Sequence, residues 1–438
     1  MGTAPESQRT TSRVRAWYDR FQSGRAVLIA WLITRVLMLA LLALAERFMV
    51  GDVFYYHRKI AALTSVGLGK TLNEYPTPVV WILSLPYGAT GGSRTGYLIA
   101  FIVFMMALDA VFAWALWRTA GRRRDYALDF WLFFIFLIGP LCYLRFDMLP
   151  AVLAGGALLA ARRRPWITGA LTGLGAAVKL WPALLFPSFL AHRPDRRAVT
   201  WGFVGVGLGL AVLSLIFGGW IRLISPLTWQ SGRGLQIESI WATPLMVARA
   251  VRPTEWIVDY SKFQAYEIFG PGVSPLLLLS NLATVAGLIV IVALYARAFR
   301  NPQPTPVAIG LVVLATVAIM TITNKTLSPQ YLLWLGGPMA ALLILRGQAT
   351  EQEKPTLRRL AIQLLLLAAL TQLVYPLLYD GLLGWNGRAM ITISTVVTTL
   401  RNLALVAFTV EVCRLSWRLL ARADERVSSS VRGQPHPT

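Results

Sequence analysis

Residues 26–50 read AVLIAWLITRVLMLALLALAERFMV, and residues 51–58 continue as GDVFYYHR. At 1.5 Å per residue the first part is long enough to cross a hydrocarbon core of about 30 Å. The second part is a lone acid, Asp52, followed at once by aromatics. A span that delivers a carboxylate to an interface is the reading that decides the fold, because apolar runs of similar length recur along the chain. Of 438 residues 56% are hydrophobic and only 14% are charged, against about 25% charged in a soluble domain. The composition implies an all-α polytopic membrane protein.

The charge balance, 42 Lys+Arg against 20 Asp+Glu, invites a nucleic-acid reading. The basic residues instead cluster in short segments between apolar runs, as the positive-inside rule requires, so no nucleic-acid partner is expected. Cys142 and Cys413 show no CxxC or Cys/His spacing, which disfavours a disulfide framework or a zinc site. The apolar run from Arg25 is too long for a signal-peptide core and lacks a cleavage site, so it is expected to be retained.

Charge alternation fixes the expected topology. Residues 1–24, with Arg9, Arg13, Arg15 and Arg20, form a cytoplasmic basic arm, and 25–413 form the membrane domain. Spans are expected at 26–48, 96–117, 126–142, 147–161, 199–222, 274–296, 306–323, 331–345, 360–378 and 391–412. The run 166–191 adds either two short segments meeting at Lys179 or one helix with a costly buried lysine; the pair is preferred, because a broken helix places the charge at a cavity rim. That makes about 12 spans. Residues 52–65 and 77–89 read as helices on the outer face within a first outer loop, 50–94. Residues 225–272 read as a long outer loop, and 414–438 as a mobile cytoplasmic tail. Both termini are expected in the cytoplasm of a plasma-membrane protein. The glycine-rich run 169–175 reads as close helix packing.

With that topology, the functionally varied residues gather on the outer face: Asp52, His57, Arg58, Glu74, Tyr75, Arg145, Asp147, Arg233, Gln236, Glu238, Asn324, Lys325, Gln330 and Asp380. Mixed acids, bases and amides on one membrane face suggest a site; ordinary solvated loops are the alternative. Asp52 is the candidate general base, with Phe54, Tyr55 and Tyr56 to desolvate it in part. Its other reading is an N-cap for the following helix. Arg145 and Asp147 flank a short turn and are either an internal ion pair or a grip on phosphate and sugar hydroxyl. Lys179 calls for an anionic partner, a phosphate or a carboxylate such as Asp147. Gly232-Arg233-Gly234 lets an arginine fork approach an anion, and Lys325 offers one more cation or a snorkelling side chain. Walker, GxGxxG, HExxH and nucleophile-elbow patterns are absent from any credible setting.

Six segments follow in order: Asp52, Glu74-Tyr75-Pro76-Thr77-Pro78, Arg145-Phe146-Asp147, Lys179-Leu180-Trp181-Pro182, Arg233 to Ser239, and Asn324 to Tyr331. Together they resemble the actinobacterial polyprenyl-phosphate-mannose-dependent mannosyltransferases of the GT-C class, the phosphatidylinositol-mannoside enzymes among them. The resemblance implies a GT-C-type helix bundle, an extracytoplasmic active site and an Asp in the first outer loop as base, which carries to Asp52. One departure is that no histidine lies between His192 and His436, where those enzymes are similar in having a late outer-face histidine.

The expected activity is inverting sugar transfer, with mannose favoured, from a polyprenyl phosphate to a glycolipid or glycan hydroxyl among the membrane lipids. Arg145, Lys179, Arg233 and Lys325 would stabilise the leaving phosphate. No metal or other cofactor is expected. Two alternatives stand beside it: another polyprenyl-phosphate sugar such as arabinofuranose, or a flippase of lipid-linked glycans. The flippase reading needs mid-membrane charges and broken helices in both halves of an internal repeat. The sequence suggests only 166–191 as broken.

Overall fold

The computed structural model describes residues 24–44, 47–161 and 163–432, apart from the side chains of 47–48 and 422–432. The basic arm therefore lies outside the described residues, except for its last residue. Among the described residues, fourteen longer helices form the frame. They are α1 (Gly24–Leu44), α2 (Gly51–Ala61), α3 (Thr77–Ala89), α4 (Arg94–Thr119), α5 (Tyr126–Ile138), α6 (Met148–Ala160) and α7 (Pro165–Val178). The long α8 (Arg193–Ser231) and the short α9 (Thr243–Val251) lead into a two-stranded hairpin, β1 (Ile257–Ser261) and β2 (Ala265–Phe269). Then come α10 (Val273–Arg300), α11 (Pro306–Thr323), α12 (Leu333–Ile344), α13 (Glu353–Gln372) and α14 (Gly387–Arg432).

Eight helices among the described residues are long and apolar enough to cross a membrane: α1, α4, α5 with its following turn, α8, α10, α11, α13 with its following turn, and α14. The protein is an all-α polytopic membrane protein. Shorter helical pieces occupy the remaining expected spans: α6, α7, the turns Trp181–Leu185 and Phe186–Phe189 after it, and α12. Of these, α6 and α12 pack mainly against neighbouring helices, whereas α7 is only partly buried. α12 is buried over nearly its whole length, while α1, α8 and α10 turn rows of Leu, Ile, Val and Trp outward.

The break at Lys179 has a local cause. α7 ends at Val178, Lys179 adopts an extended conformation (φ −155°, ψ 132°), and Pro182 opens the next single turn. Upstream, the glycine-rich face of α7 meets α8 backbone to backbone. A Cβ on Gly169 would sit 1.9 Å from the Val199 carbonyl oxygen, and one on Gly202 would sit 2.1 Å from that of Trp166. Only glycine permits that approach.

Three expectations need correction. Residues 225–272, expected as one long outer loop, hold regular structure: α8 continues to Ser231, and α9 and the hairpin occupy much of the remainder. Alternation of Val258, Tyr260 and Tyr266 with polar neighbours is a two-residue period, the signature of a short strand rather than of an apolar span. The tail from 414 is helical as far as Arg432. Lys179 does not mark the one broken helix, because α8 carries a non-helical Gly219 (φ 73°) and the turn after α13 carries a non-helical Tyr375 (φ −132°, ψ 118°).

The polar set is also not confined to one end. Arg35 in α1 and Asp109 in α4, both mid-helix and 1% and 0% exposed, form a bidentate pair at 2.9 and 3.0 Å. Asp109 further accepts from Trp31 Nε1 (2.9 Å), Trp131 Nε1 (2.7 Å) and Tyr143 Oη (2.6 Å). Five donors on two oxygens saturate the carboxylate, and the pair fastens the otherwise lipid-facing α1 to α4 and α5. Removing one partner of such a pair costs about 3–5 kcal/mol. Asp109→Asn should therefore lower thermal stability in detergent by that order, and Arg35→Met/Asp109→Leu should not recover it, because Trp31, Trp131 and Tyr143 would keep donors without their acceptor. Thermal unfolding of the three proteins checks this.

Candidate functional site

The site is assembled at the end of the bundle where α2, the turn after α5 and the break after α7 meet. Asp52 lies in the first turn of α2, whose N-cap is Val50, and no side chain caps that terminus. The N-cap reading of Asp52 is thereby removed. Its Oδ2 lies 2.9 Å from Nε of Arg145, as an ion pair whose angle departs from that of a hydrogen bond. The exposures differ in a telling way: 39% for the Asp52 side chain and 9% for that of Arg145. The carboxylate faces outward and the guanidinium supports it from below.

Arg145 is held by more than Asp52. Nη1 donates to the Leu144 carbonyl (3.2 Å) and, at 3.5 Å, to that of Met49, while Nη2 reaches Tyr375 Oη at 3.5 Å. The helix break at Tyr375 is what presents that phenol. Arg145 and Asp147 do not pair with each other. Asp147 instead pairs with Lys179 (2.5 Å) and accepts from Trp334 Nε1 (2.7 Å). The lysine nitrogen lies over the rings of Trp334 (4.5 Å), Tyr331 (5.1 Å) and Tyr75 (5.9 Å). Cation–π contact adds to the carboxylate in offsetting its desolvation. Tyr75 closes this arrangement, with its hydroxyl 3.0 Å from that of Tyr56 and its ring edge-on to Phe146. One three-residue turn thus sends Arg145 to α2 and Asp147 to the α7 break.

With that geometry in view, the family model described as Glycosyltransferase family 87 matches residues 75–317, more than half of the chain. The chain belongs to glycosyltransferase family 87. It is a membrane glycosyltransferase. The matched stretch contains Tyr75, Arg145, Asp147 and Lys179 and begins after Asp52. A model described as the RNF186 helical domain matches residues 348–400, too short a piece to carry an argument. No curated protein matches the chain.

Around the transferase's central charges lies a supporting layer. Tyr55 Oη donates to Glu74 Oε1 (2.8 Å), and burial holds the Glu74 carboxyl above its usual range. Arg222, buried near the end of α8, donates to the carbonyls of Thr71, Leu72 and Tyr75. It fixes the chain that presents Glu74 and Tyr75. Glu238 is fully buried and pairs with Arg401 of α14 at 3.4 Å. Asn402 donates to the Glu238 and Ser239 carbonyls. Rings of Tyr375, Tyr379 and Tyr266 stack edge to face from Arg145 toward the hairpin.

The hairpin organises a second group. Residues 235–237 add to β2 through Ile268 N to Leu235 O and Ile237 N to Tyr266 O. Gln236 N donates to the Lys325 carbonyl, and its side chain donates to Ser328 Oγ (2.9 Å). Lys325 Nζ reaches the Ser231 carbonyl (2.9 Å), with its pKa lowered by burial and Glu267 opposing that shift. Asn324 Oδ1 accepts from Gln230, Thr326 N and Thr326 Oγ1, and Arg233 donates to the Phe263 carbonyl. Gln330 is half-buried beside Tyr331.

Two expected residues stand apart. The His57 ring is 2.8 Å from the Gly92 carbonyl and packs on Tyr87 and Tyr97, so it serves the α2–α4 joint rather than Asp52. Arg58 is exposed. Several residues escaped the sequence reading: Asp109, Arg222, Glu267, Trp334, Tyr375, Tyr379 and Arg401. For Asp109 and Arg401 a signal existed, since an ionisable residue inside an apolar span is a functional flag by itself.

Burial pushes the Glu238 carboxyl up to about 7, and Arg401 only partly opposes the shift. The folded protein therefore keeps a proton that the unfolded chain releases near 4.5. The resulting stability is fully present below pH 4.5 and is lost as pH rises through 7. Glu238→Gln should flatten the fall in melting temperature over that window, as thermal unfolding against pH would show.

Proposed function

We propose that this membrane glycosyltransferase moves a sugar, with mannose favoured, from a polyprenyl phosphate to a hydroxyl of a glycolipid or glycan acceptor. The reaction takes place on the extracytoplasmic face of the cell membrane. The observation that carries the proposal is the Asp52–Arg145 pair, a half-exposed carboxylate resting on a buried guanidinium, beside the Asp147–Lys179 pair on the same turn. A phosphate donor needs cations for its leaving group and one carboxylate for the incoming hydroxyl, and both are in reach.

At rest each of these cations faces a carboxylate. A donor phosphate competes for Arg145, and as the guanidinium turns toward it the Asp52 Oδ2 becomes free to accept a hydrogen bond from the acceptor hydroxyl. The acceptor oxygen then attacks the anomeric carbon, its proton passes to Asp52, and the bond from that carbon to the phosphate oxygen breaks. The electron pair leaves with the polyprenyl phosphate, whose charge Arg145 and Lys179 stabilise. Configuration at the anomeric carbon inverts. Arg233 and Lys325, on the hairpin side, are candidates to hold the outer part of the acceptor or donor.

The flippase reading draws on the mid-membrane Arg35–Asp109 pair and the three helix breaks. The pair argues against it: a carboxylate with five donors is a fixed joint, without free capacity for a passing substrate.

The test is transfer by the purified protein in liposomes, given polyprenyl-phosphate mannose or arabinofuranose and glycolipid acceptors. Asp52→Asn should lower turnover by about 10²–10⁴-fold, with a smaller loss of melting temperature than Asp109→Asn because the Asp52 side chain is 39% exposed. Wild-type rates in that variant would remove Asp52 as base. No transfer with any donor, together with donor-dependent lipid translocation, would replace the transferase mechanism by a flippase. In a cysteine-free background, Ser231→Cys should react with an impermeant maleimide from the extracytoplasmic side only. Labelling from the cytoplasm alone would invert the topology.

A further inference from the structure

α4, α6 and α7 enclose a groove at the end of the bundle away from Asp52, with a cavity of about 650 Å³. Its walls are apolar, supplied by Leu108, Val111, Leu149, Val152, Leu153 and Leu171. Its mouth is basic: Arg118, Arg163 and Arg164 line it, all three are exposed, and none makes an ion pair among the described residues. Arg118 lies 5.2 Å over the Trp114 ring, a tryptophan placed where headgroups meet acyl chains. Asp125, near this end, is occupied as the N-cap of α5 through Tyr126 N.

We propose that this groove binds one anionic phospholipid, with its phosphate on the three arginines and its acyl chains along the apolar walls. The dimensions fit. From Leu108 to Arg118 the helix rises about 15 Å, half of a hydrocarbon core of about 30 Å, which is the depth of one leaflet. The charge fits as well, because arginine forks suit phosphate oxygens and, among the described residues, no carboxylate pairs with them. The site is separate from the transfer site, since none of Asp52, Arg145, Asp147 and Lys179 lines it. It is not mechanically remote: Leu149, at the inner end of the groove, lies in the first turn of α6, directly after Asp147 and Met148.

The test needs no glycosyltransferase assay. The protein is purified in neutral detergent and examined by native mass spectrometry for retained lipid, then titrated with phosphatidylglycerol or phosphatidylcholine of equal chain length. The expected result is one retained anionic phospholipid, and a melting temperature raised by phosphatidylglycerol but not by phosphatidylcholine. Arg163→Gln/Arg164→Gln should weaken phosphatidylglycerol binding by roughly thirtyfold, the effect of two basic residues at a lipid surface. Val152→Trp, which fills the groove and keeps the arginines, should also lose the lipid, so a folding failure of the double variant leaves the test intact. Equal retention of both lipids, undiminished binding in the double variant, or displacement of the lipid by inorganic phosphate alone would overturn the proposal.

Discussion

Arg145 is a guanidinium with almost no access to water, and a buried charge of that kind persists only if its surroundings compensate it. Its compensation comes from three separate parts of the chain: the carboxylate of Asp52 on α2, the carbonyls of Met49 and Leu144, and the phenol of Tyr375 at the break after α13. The arrangement of the site follows from that requirement. α2 must dock against the turn after α5, and α13 must break where it does. Asp147 is then left facing the other way, toward Lys179, and the turn carries two opposed ion pairs without crossing them.

The same principle recurs on a larger scale. Arg35, Arg222, Arg249 and Arg401 are also buried, and each fastens segments distant in sequence: α1 to α4, α8 to the chain before α3, α9 to the turn before α14, and α14 to the 238–239 loop. In a bilayer, where apolar burial between helices drives association less than it does in water, satisfied polar contacts and close glycine packing supply much of the specificity. The family 87 bundle uses both, with Gly169 and Gly202 bringing α7 and α8 together and the arginines positioning the segments around the site.

What the sequence made legible were features with a local physical cause. A lysine followed by Trp-Pro inside an apolar run reads as a helix break, and Lys179 sits at one. A lone Asp at the end of a long span reads as an interface residue, and Asp52 is half-exposed there. Reading arginines through charge counting concealed the rest. It treats each one as a topology signal, so it passes over Arg35 and Arg401 although each lies inside an apolar span, and it cannot tell Arg222 from a loop arginine without its long-range partners. The hairpin was missed for a related reason: its short two-residue alternation lies in a stretch that stands out mainly for not being apolar. The choice between an internal Arg145–Asp147 pair and two outward ones depends on backbone direction in a three-residue turn, which composition does not encode.

The proposed reaction is a single displacement in which one carboxylate serves the incoming hydroxyl and cations serve the leaving phosphate. The anomeric configuration of the product tests it most directly. Reaction with a polyprenyl-phosphate sugar of defined anomeric form, followed by NMR assignment of the new linkage, should give the opposite anomer. A product that keeps the donor's configuration would require a second nucleophile on the enzyme and would contradict the role assigned to Asp52.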